Sequence, residues 1–433
     1  MRIRLWGFSL MLAVVLCLSI MAKIKRRKNM RIRLWGFSLM LAVVLCLSMS
    51  SAWATDVRGV TDKEIKIACL VDLSGPGKYA GPPMAEAFRD YVAWVNDTGG
   101  INGRKIDLIV EDNGILPNPT MNAAKKVILK DEVLAIAMNL GSAGSSAIVP
   151  LCEENKVVLM PHGANKVFYY PGNKWVFVPH TVQFSLASRA VEYLLGKNKK
   201  ARIGIIYQDD DFGREGLDGA SVAAKFMNTK LVASAPYKTG TIDFTPHMNA
   251  MKKANVDAIV LWTYLPQSAA IIKQKVKMGW NVDLISNNTT GVPVLFALTG
   301  EAADGYMLVT PFAPGWMDLP GINRIKKINA KYGNPAKTLG DPMYPDYMYL
   351  IGWAYMDAMA QGLRNAGRDL NPETLVKGLE NIKNHDMGGL CPNITFGPKR
   401  HVSSFSSLIL KANGKAKRFV VVDSIKAPMT PQN

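Results

Sequence analysis

The chain has 433 residues, 48% of them hydrophobic, and a formal net charge of +18. Nine of its 52 basic residues but none of its 34 acidic residues lie in residues 1–54, so the remainder carries only about +9. The remaining lysines are scattered singly and in pairs, with no basic stripe or nucleic-acid motif, which argues against a nucleic-acid partner. The five histidines are far apart and there is no C-x-x-C, so no metal or cofactor is expected.

Residues 1–19 are repeated without change as residues 30–48. Each copy has Arg at its second and fourth positions followed by an apolar run, which is typical of a secretory signal peptide. The second copy leads into Ala52-Trp53-Ala54, a signal-peptidase motif, and no comparable apolar run follows it. We therefore interpret residues 1–54 as a duplicated signal peptide, cleaved after Ala54, of a soluble protein exported to the periplasm.

The first copy allows a second interpretation, because residues 23–28 between the copies hold five positive charges. If Met1 were the start, this cluster would hold the preceding apolar run in the membrane, as part of a two-helix hairpin. We favour an in-frame duplication with Met21 or Met30 as the working start, and the choice among the three starts stays open.

From residue 65 onward, β-rich runs alternate with amphipathic ones. The first series predicts strands at 65–73, 105–112, 133–140 and 157–161, with helices at 84–95, 118–130 and 145–154. Nearly continuous apolar strands are typical of a parallel sheet covered on both faces. This series therefore predicts a doubly wound α/β unit.

A second series begins after residue 176. It predicts strands at 202–208, 230–237, 257–264 and 282–286, with helices at 184–195, 213–227, 248–254 and 268–278. From residue 306 the chain is helix-rich, with a long helix at 347–364, and it ends in strand-like runs at 406–412 and 418–423. The length after residue 54 exceeds what one core organises, so we expect two lobes with a ligand cleft beyond the carboxyl ends of the strands.

Small residues follow several first-half strands, at 74–81, 141–146 and 162–165. The free N–H groups of a helix opening at Gly141-Ser142, with the serine hydroxyls, would bind a carboxylate; an ordinary helix start on a glycine turn is the alternative. In the second half, three aspartates at 209–211 lack the spacing of a calcium loop. We interpret them as a solvated turn that caps a helix.

Three cysteines remain beyond residue 54. Cys69 lies in an apolar strand and is expected to be a buried thiol, whereas a disulfide between Cys152 and Cys391 stays open. No catalytic motif occurs: G-x-S-x-G, Walker A, G-x-G-x-x-G and H-E-x-x-H are all missing. We expect a binding protein rather than an enzyme.

The order of motifs resembles the periplasmic substrate-binding proteins of ABC importers, in the leucine/isoleucine/valine-binding group. The matching segments are DLSGPGKYAG at 72–81, GGINGRKIDLIVED at 99–112, GSAGSSA at 141–147, DFGREG at 211–216 and QKVKMG at 274–279. The resemblance implies an α/β type I periplasmic binding fold, in which two Rossmann-like doubly wound lobes are joined by a three-crossing hinge. It implies an N-terminal lobe of 55–180 plus 309–396 and a C-terminal lobe of 181–308 plus 397–433, with crossings near 178–182, 308–311 and 394–400.

The resemblance also implies ligand contacts. Ser142 matches the serine that holds a ligand carboxylate, and Tyr79, Phe212 and Tyr264 match aromatic walls, with Trp262 a further candidate. The complete predicted ligand set is Tyr79, Ser142, Ala143, Gly163, Ala164, Asn165, Gln183, Phe212, Tyr264 and Asn288.

Two departures from the family pattern bear on the ligand. Where amino-acid-binding members place an acid against the ammonium group, this chain has Asn287-Asn288-Thr289-Thr290, and a frequently acidic hinge position is Gln183. We therefore expect a carboxylate ligand without an α-amino group, such as an aromatic or aliphatic acid; the alternative is that one of the aspartates 209–211 supplies the charge. The implied partner is an ABC permease in the inner membrane. A receptor-coupled sensor of the same fold is the alternative function, and a hydrolytic enzyme is a distant third.

Overall fold

The computed structural model describes residues 57–163, 166–168, 172–333 and 346–432. The predicted signal peptide lies outside the described residues. Across the residues that are described, no helix is long and apolar enough to cross a membrane.

A four-stranded parallel sheet with the strand order β2-β1-β3-β4 organises the first half. Its strands are β1 Glu64–Val71, β2 Lys105–Asp112, β3 Ala135–Leu140 and β4 Val158–His162, and its helices are α1 Gly81–Asp97, α2 Pro117–Lys125 and α3 Ser142–Glu154. Every residue of β3 and β4 is buried, as expected for strands covered on both faces. This alternation confirms the predicted doubly wound unit.

A seven-stranded sheet with the order β13-β12-β10-β9-β8-β6-β7 organises the second half. Its strands are β6 Ile203–Gln208, β7 Ala233–Tyr237, β8 Ala258–Trp262, β9 Asp283–Ser286, β10 Met307–Thr310, β12 Ser407–Asn413 and β13 Arg418–Lys426. Its helices are α4 Gln183–Lys197, α5 Asp211–Phe226, α6 Thr245–Lys253, α7 Leu265–Lys277 and α8 Val294–Thr299. The strands β6 to β10 pair in parallel, and β12 and β13 add an antiparallel edge.

Two short strands run side by side where the chain passes between the sheets. β5 Val178–Thr181 leads into α4, and β11 Val402–Ser404 leads into β12; the two pair in parallel. The second passage begins after β10, which stays in the larger sheet as far as Thr310.

The remaining helices belong to the first half. They are α9 Pro320–Tyr332, α10 Tyr347–Ala366 and α11 Pro372–Glu380. Helices α10 and α11 contact the smaller sheet, and α9 packs against α1. The apolar helix α10 lies against α1, where Trp353 packs edge-on against Tyr91 at a ring distance of 4.9 Å, and the Tyr91 hydroxyl donates to Asp357 at 2.6 Å. Because the large rings of Tyr91 and Trp353 are both buried in it, the α1–α10 contact is a main source of stability in this half.

The three cysteines of the described residues are all buried and free. The expectation for Cys69 is thus confirmed. The disulfide left open between Cys152 and Cys391 does not form, and burial raises the pKa of both thiols, which keeps them protonated.

Candidate ligand-binding cleft

The first-half side of the candidate cleft is the start of α3. Gly141 precedes the helix with a φ of 108°, a conformation that favours glycine, and no described side chain caps the helix. The first N–H groups of a helix have no partner within it, and the helix dipole adds positive potential at that end. Helix α3 has 13 residues and an uncapped start. This start is thus suited to receive a carboxylate.

Gly163 lies directly beside this helix start. It follows β4 with a φ of 93°, and a Cβ atom at this position would come within 2.4 Å of the Ser142 hydroxyl oxygen. The backbone therefore approaches Ser142 as closely as only glycine allows. The structure thus brings together two of the predicted ligand residues from neighbouring strand ends, with Ala143 in the first turn of the same helix.

Tyr79 spans the two halves. Its loop is fixed by Asp72, whose carboxylate accepts the N–H groups of Gly75 and Gly77 at 2.5 Å each. The Tyr79 hydroxyl accepts the N–H of Leu265, at the start of α7, at 3.5 Å. Burial raises the pKa of Tyr79, so the hydroxyl stays neutral.

The second-half side of the cleft carries a stacked aromatic pair. The rings of Phe212 on α5 and Tyr264 before α7 are 4.8 Å apart and nearly parallel, at 11°. This offset-stacked spacing stabilises the pair beyond its burial. Trp262, the further candidate, lies instead in the core beneath α5, where a Cβ at Gly216 would meet its ring at 2.2 Å.

Two amides lie where the strands of the larger sheet meet the first passage between the halves. Gln183, the first residue of α4, donates from Nε2 to Asn288 Oδ1 at 3.3 Å, and both side chains are buried. Gln183 Oε1 has no partner among the described residues, whereas the Asn288 side chain also bonds to the hydroxyl of Tyr347. Buried polar atoms are normally satisfied, so the Gln183 oxygen is the group of this pair that could accept from a ligand.

Ala164 and Asn165, also predicted as ligand contacts, lie outside the described residues. The eight others fall into three groups: the α3 start, the aromatic walls and the amide pair. The amide pair and the Tyr79–Leu265 contact join residues more than 100 positions apart.

The three consecutive aspartates make hydrogen bonds and ion pairs with nearby residues. Asp210 caps α5 by accepting the Gly213 N–H at 3.1 Å, which confirms the predicted cap. Asp209 and Asp211 pair with Arg214, at 2.8 and 3.5 Å. Arg214 therefore neutralises only part of this charge, and Asp210, which bonds to neutral donors, lies close enough to Tyr264 for its charge to help raise the pKa of that phenol.

A buried carboxylate does lie in the cleft region, on α5. Glu215 is 5% exposed and accepts the backbone N–H of Lys166, which follows β4, at 3.1 Å. The Lys166 ammonium lies 4.5 Å from the centroid of the Phe184 ring. Glu215 thus ties α5 to the loop after β4, and sequence reasoning missed it because its partner is a backbone group.

Sequence reasoning also missed a pair of buried histidines. His162 ends β4, and its Nδ1 lies 2.9 Å from Nε2 of His180 on β5. Both are buried, and burial lowers the pKa of His180 to about 4 and that of His162 well below its ordinary value. The five histidines are far apart in sequence, so the spacing gave no signal for this contact.

A cavity of about 440 Å³ lies next to this set and contains none of the ten predicted residues. Its lining includes Phe296, Trp316, Asp346, Tyr347 and Arg418. Tyr347 connects it to the amide pair, because its hydroxyl bonds to Thr310 and lies near Asn288.

Comparisons with known proteins identify the family of this chain. The family model of a periplasmic binding protein matches residues 64–416, so the chain belongs to this family. The Leu/Ile/Val-binding protein of Escherichia coli K12 is 24% identical over 251 residues, which is 58% of this chain and 68% of that protein. Leu/Ile/Val-binding protein homolog 1 of Brucella abortus is 23% identical over 76% of this chain and 83% of its own length.

Solved structures show the same fold. A fatty acid ABC transporter substrate-binding protein from Thermomonospora curvata matches with a TM-score of 0.76 and 26% identity, over 86% of this chain and 95% of its own. A branched-chain amino acid ABC transporter protein from Thermus thermophilus with bound valine also has a TM-score of 0.76, at 22% identity, over 86% and 98%. These matches confirm the type I periplasmic binding fold, and the relatives are solute-binding proteins rather than enzymes.

Proposed function

We propose that this chain is an extracytoplasmic solute-binding protein. It captures a small carboxylate-bearing ligand between its two lobes and delivers it to the permease of an ABC transporter. Residues 1–54 direct its export to the periplasm and are removed after Ala54. The lobes are residues 55–180 with 311–396 and residues 181–310 with 397–433, because the second crossing lies just after Thr310, where β10 ends.

The observation that carries the proposal is the start of α3. Its free N–H groups, the Ser142 hydroxyl and the close approach of Gly163 form a compact anion site at the carboxyl ends of β3 and β4. A carboxylate bound here neutralises the positive end of the helix without any basic side chain.

The ligand of this proposal lacks an α-amino group. The amide pair of Gln183 and Asn288 occupies the region where related proteins place an acid, and the carboxylates of aspartates 209–211 accept hydrogen bonds from Gln208, Gly213 and Arg214 rather than contacting this pair. An ammonium group buried there without a counter-charge would lose several kcal/mol, a large part of the roughly 8 kcal/mol of a micromolar complex. The similar fatty acid ABC transporter substrate-binding protein from Thermomonospora curvata supports a ligand without an amino group. The similar structure from Thermus thermophilus with bound valine favours an amino acid.

Delivery depends on closure. Contacts across the cleft, such as Tyr79 to Leu265 and Lys166 to Glu215, exist only when the halves are together. A ligand that touches both sides therefore shifts the population towards the closed form, which a permease can recognise. A receptor-coupled sensor would use the same closure, so the partner rather than the cleft separates the two functions.

A thermal-shift panel of amino acids, aromatic acids and fatty acids tests the proposal on the purified protein. We expect several carboxylic acids to raise the melting temperature and the 20 amino acids to leave it unchanged. Uptake of the best acid by cells with and without this gene then separates transport from sensing. A panel in which no carboxylate stabilises the protein would contradict the proposal.

A further inference from the structure

The cavity of about 440 Å³ that contains none of the ten predicted ligand residues has walls from both halves of the chain. Its volume is in the range of pockets that hold small organic molecules. The lining includes one acid and four aromatic residues: Asp346 and Tyr347 at the start of α10, Trp316 on the passage after β10, Phe296 on α8 and Phe419 on β13. The cavity is separate from the proposed carboxylate site, because no described residue at the start of α3 lines it.

Asp346 is a buried acid without a counter-charge. The residue is 3% exposed, and its Oδ1 accepts the N–H of Met348 at 2.7 Å, with the N–H of Tyr349 also near the carboxyl group. Within the described part of the chain, Oδ2 has no hydrogen-bond partner and no basic side chain pairs with this carboxyl. Burial accordingly raises the pKa of Asp346 to about 7. A cation that donates to Oδ2 would supply both the missing hydrogen bond and the missing charge.

The aromatic walls also favour an organic cation. The rings of Phe296 and Phe419 are 5.2 Å apart, and Trp316 Nε1 donates to the carbonyl oxygen of Phe419 at 3.2 Å, which fixes the indole. The guanidinium of Arg418 lies 5.5 Å from the centre of the Trp316 ring, so this ring already attracts one cation. A metal ion needs several oxygen ligands, whereas Asp346 is the one acid among the described lining residues.

Two basic residues of the lining, Lys417 and Arg418, oppose a cation. Both are exposed, and water and salt screen exposed charges more strongly than the charge of buried Asp346. The acid therefore dominates inside the cavity. An α-amino acid is disfavoured, because the carbon that carries its ammonium also carries a carboxylate, which would be buried beside Asp346.

We propose that this cavity is a second binding site, which takes a primary amine with an apolar body and no carboxylate beside its amino group. The ammonium donates to Oδ2 of Asp346, and the apolar body packs against Phe296, Trp316 and Phe419. This site goes beyond the proposed function and does not depend on the ligand of the cleft.

Calorimetry of the purified protein with matched amines and alcohols tests the inference. The amines are 3-methylbutylamine, 2-phenylethylamine and tryptamine, and the alcohols are 3-methylbutan-1-ol, 2-phenylethanol and tryptophol. An alcohol can donate to Oδ2 but brings no charge. At pH 8 we therefore expect at least one amine to bind at least about 10-fold more tightly than its alcohol.

Asp346→Asn removes the charge and keeps a side chain that caps a helix as well as aspartate does. We expect the affinity for the amine to fall at least about 10-fold, while the affinity for the alcohol changes less than about 3-fold. Asp243→Asn is the matched control. The Asp243 carboxylate accepts the N–H of Thr245 at 2.9 Å at the start of α6, away from the cavity, so amine affinity should stay within about 2-fold.

The native protein gives a second measurement that does not depend on the folding of Asp346→Asn. A proton competes with the ammonium for the Asp346 carboxylate, and the probe amines stay charged below pH 8. Amine affinity should therefore fall at least about 10-fold between pH 8 and pH 5.5, while alcohol affinity should not fall. The other titratable groups that line the cavity are Tyr347, Lys417 and Arg418.

Three results would overturn the inference. They are failure of all three amines to bind, equal or tighter binding of every alcohol, and amine affinity that changes neither in Asp346→Asn nor with pH. None of these results bears on the proposed function, which the separate panel of carboxylates decides.

Discussion

The two sides of the proposed cleft present different chemical groups. The ends of β3 and β4 offer backbone N–H groups, a serine and a glycine, whereas the second half and its entrance offer the Phe212–Tyr264 stack and the Gln183–Asn288 amides. Backbone groups at a helix start bind an anion whatever the rest of the ligand is. Under the proposed function, we expect the first side to define the class of ligand and the side chains of the second to decide which member of the class is accepted.

The largest expected effect concerns the strand that joins the two sides. His180 is buried with a pKa of about 4, beside His162 and Tyr355. Its folded-state pKa lies below the unfolded value of about 6.5, so the unfolded chain takes up the proton first and stability is lost as the pH falls from 6.5 towards 4. The loss amounts to roughly 3 kcal/mol relative to His180→Gln, measured by urea unfolding across this range.

The comparison with His180→Gln cancels buried groups that do not contact His180, whereas the directly bonded His162 belongs to the measured effect. Burial raises the pKa of Asp346 to about 7, which acts with the opposite sign but is present in both proteins. Parallel stability curves for the two proteins between pH 6.5 and 4 would contradict the assignment of a buried neutral His180.

The next largest effect is expected for a substitution in the first side of the cleft. In Gly163→Ala, the new Cβ lies 2.4 Å from the Ser142 hydroxyl on a backbone with φ of 93°. We expect a stability loss of about 2 kcal/mol and a fall in carboxylate affinity of at least 10-fold, because Ser142 must move. Gly240→Ala is the control: its φ is 87°, but open space surrounds it. Equal affinity losses in both variants, measured by calorimetry, would show that the close approach is unimportant.

A smaller effect probes the second side. Phe212→Leu removes the partner of the Tyr264 ring while keeping an apolar side chain, so affinity for an aromatic acid should fall about 5-fold. Phe226→Leu, on the same helix but 45% exposed, should change affinity by less than about 2-fold. Unchanged affinity in Phe212→Leu, measured by fluorescence titration, would remove the stack from the ligand wall.

The smallest effect is expected at Ser142. Ser142→Ala removes one hydroxyl but leaves the N–H groups of α3 in place, so carboxylate affinity should fall only about 3-fold. Calorimetry decides between the two sources of recognition. A loss above about 100-fold would mean that the hydroxyl, rather than the helix start, holds the carboxylate.

Much of the fold follows from local patterns. β2 has the predicted bounds, Lys105–Asp112, because charged residues stand at both ends of its apolar segment. Helix α1 begins earlier than predicted, at Gly81, because prolines fit the first turn of a helix. The predicted helix at 118–130 changes at Lys126 into a π-helical turn, which no periodicity reveals. The strands β5 and β11 have four and three residues, too few to show a pattern.

The site was less predictable from sequence. The α3 start was visible because glycine and serine mark it locally. The His162–His180 pair, the Gln183–Asn288 pair and the Glu215–Lys166 contact join distant residues, and only the packing of strand ends brings them together. The class of protein was therefore easier to predict from the sequence than the contacts within the candidate cleft.

Leucine binding tests the central claim most directly. Calorimetry of the purified protein with leucine should give no micromolar binding, while Asn288→Asp, which places one negative charge in the amide pair at unchanged size, should gain measurable leucine affinity. Micromolar binding of leucine by the unmodified protein would contradict the account, because it would require a counter-charge that the amide pair does not supply.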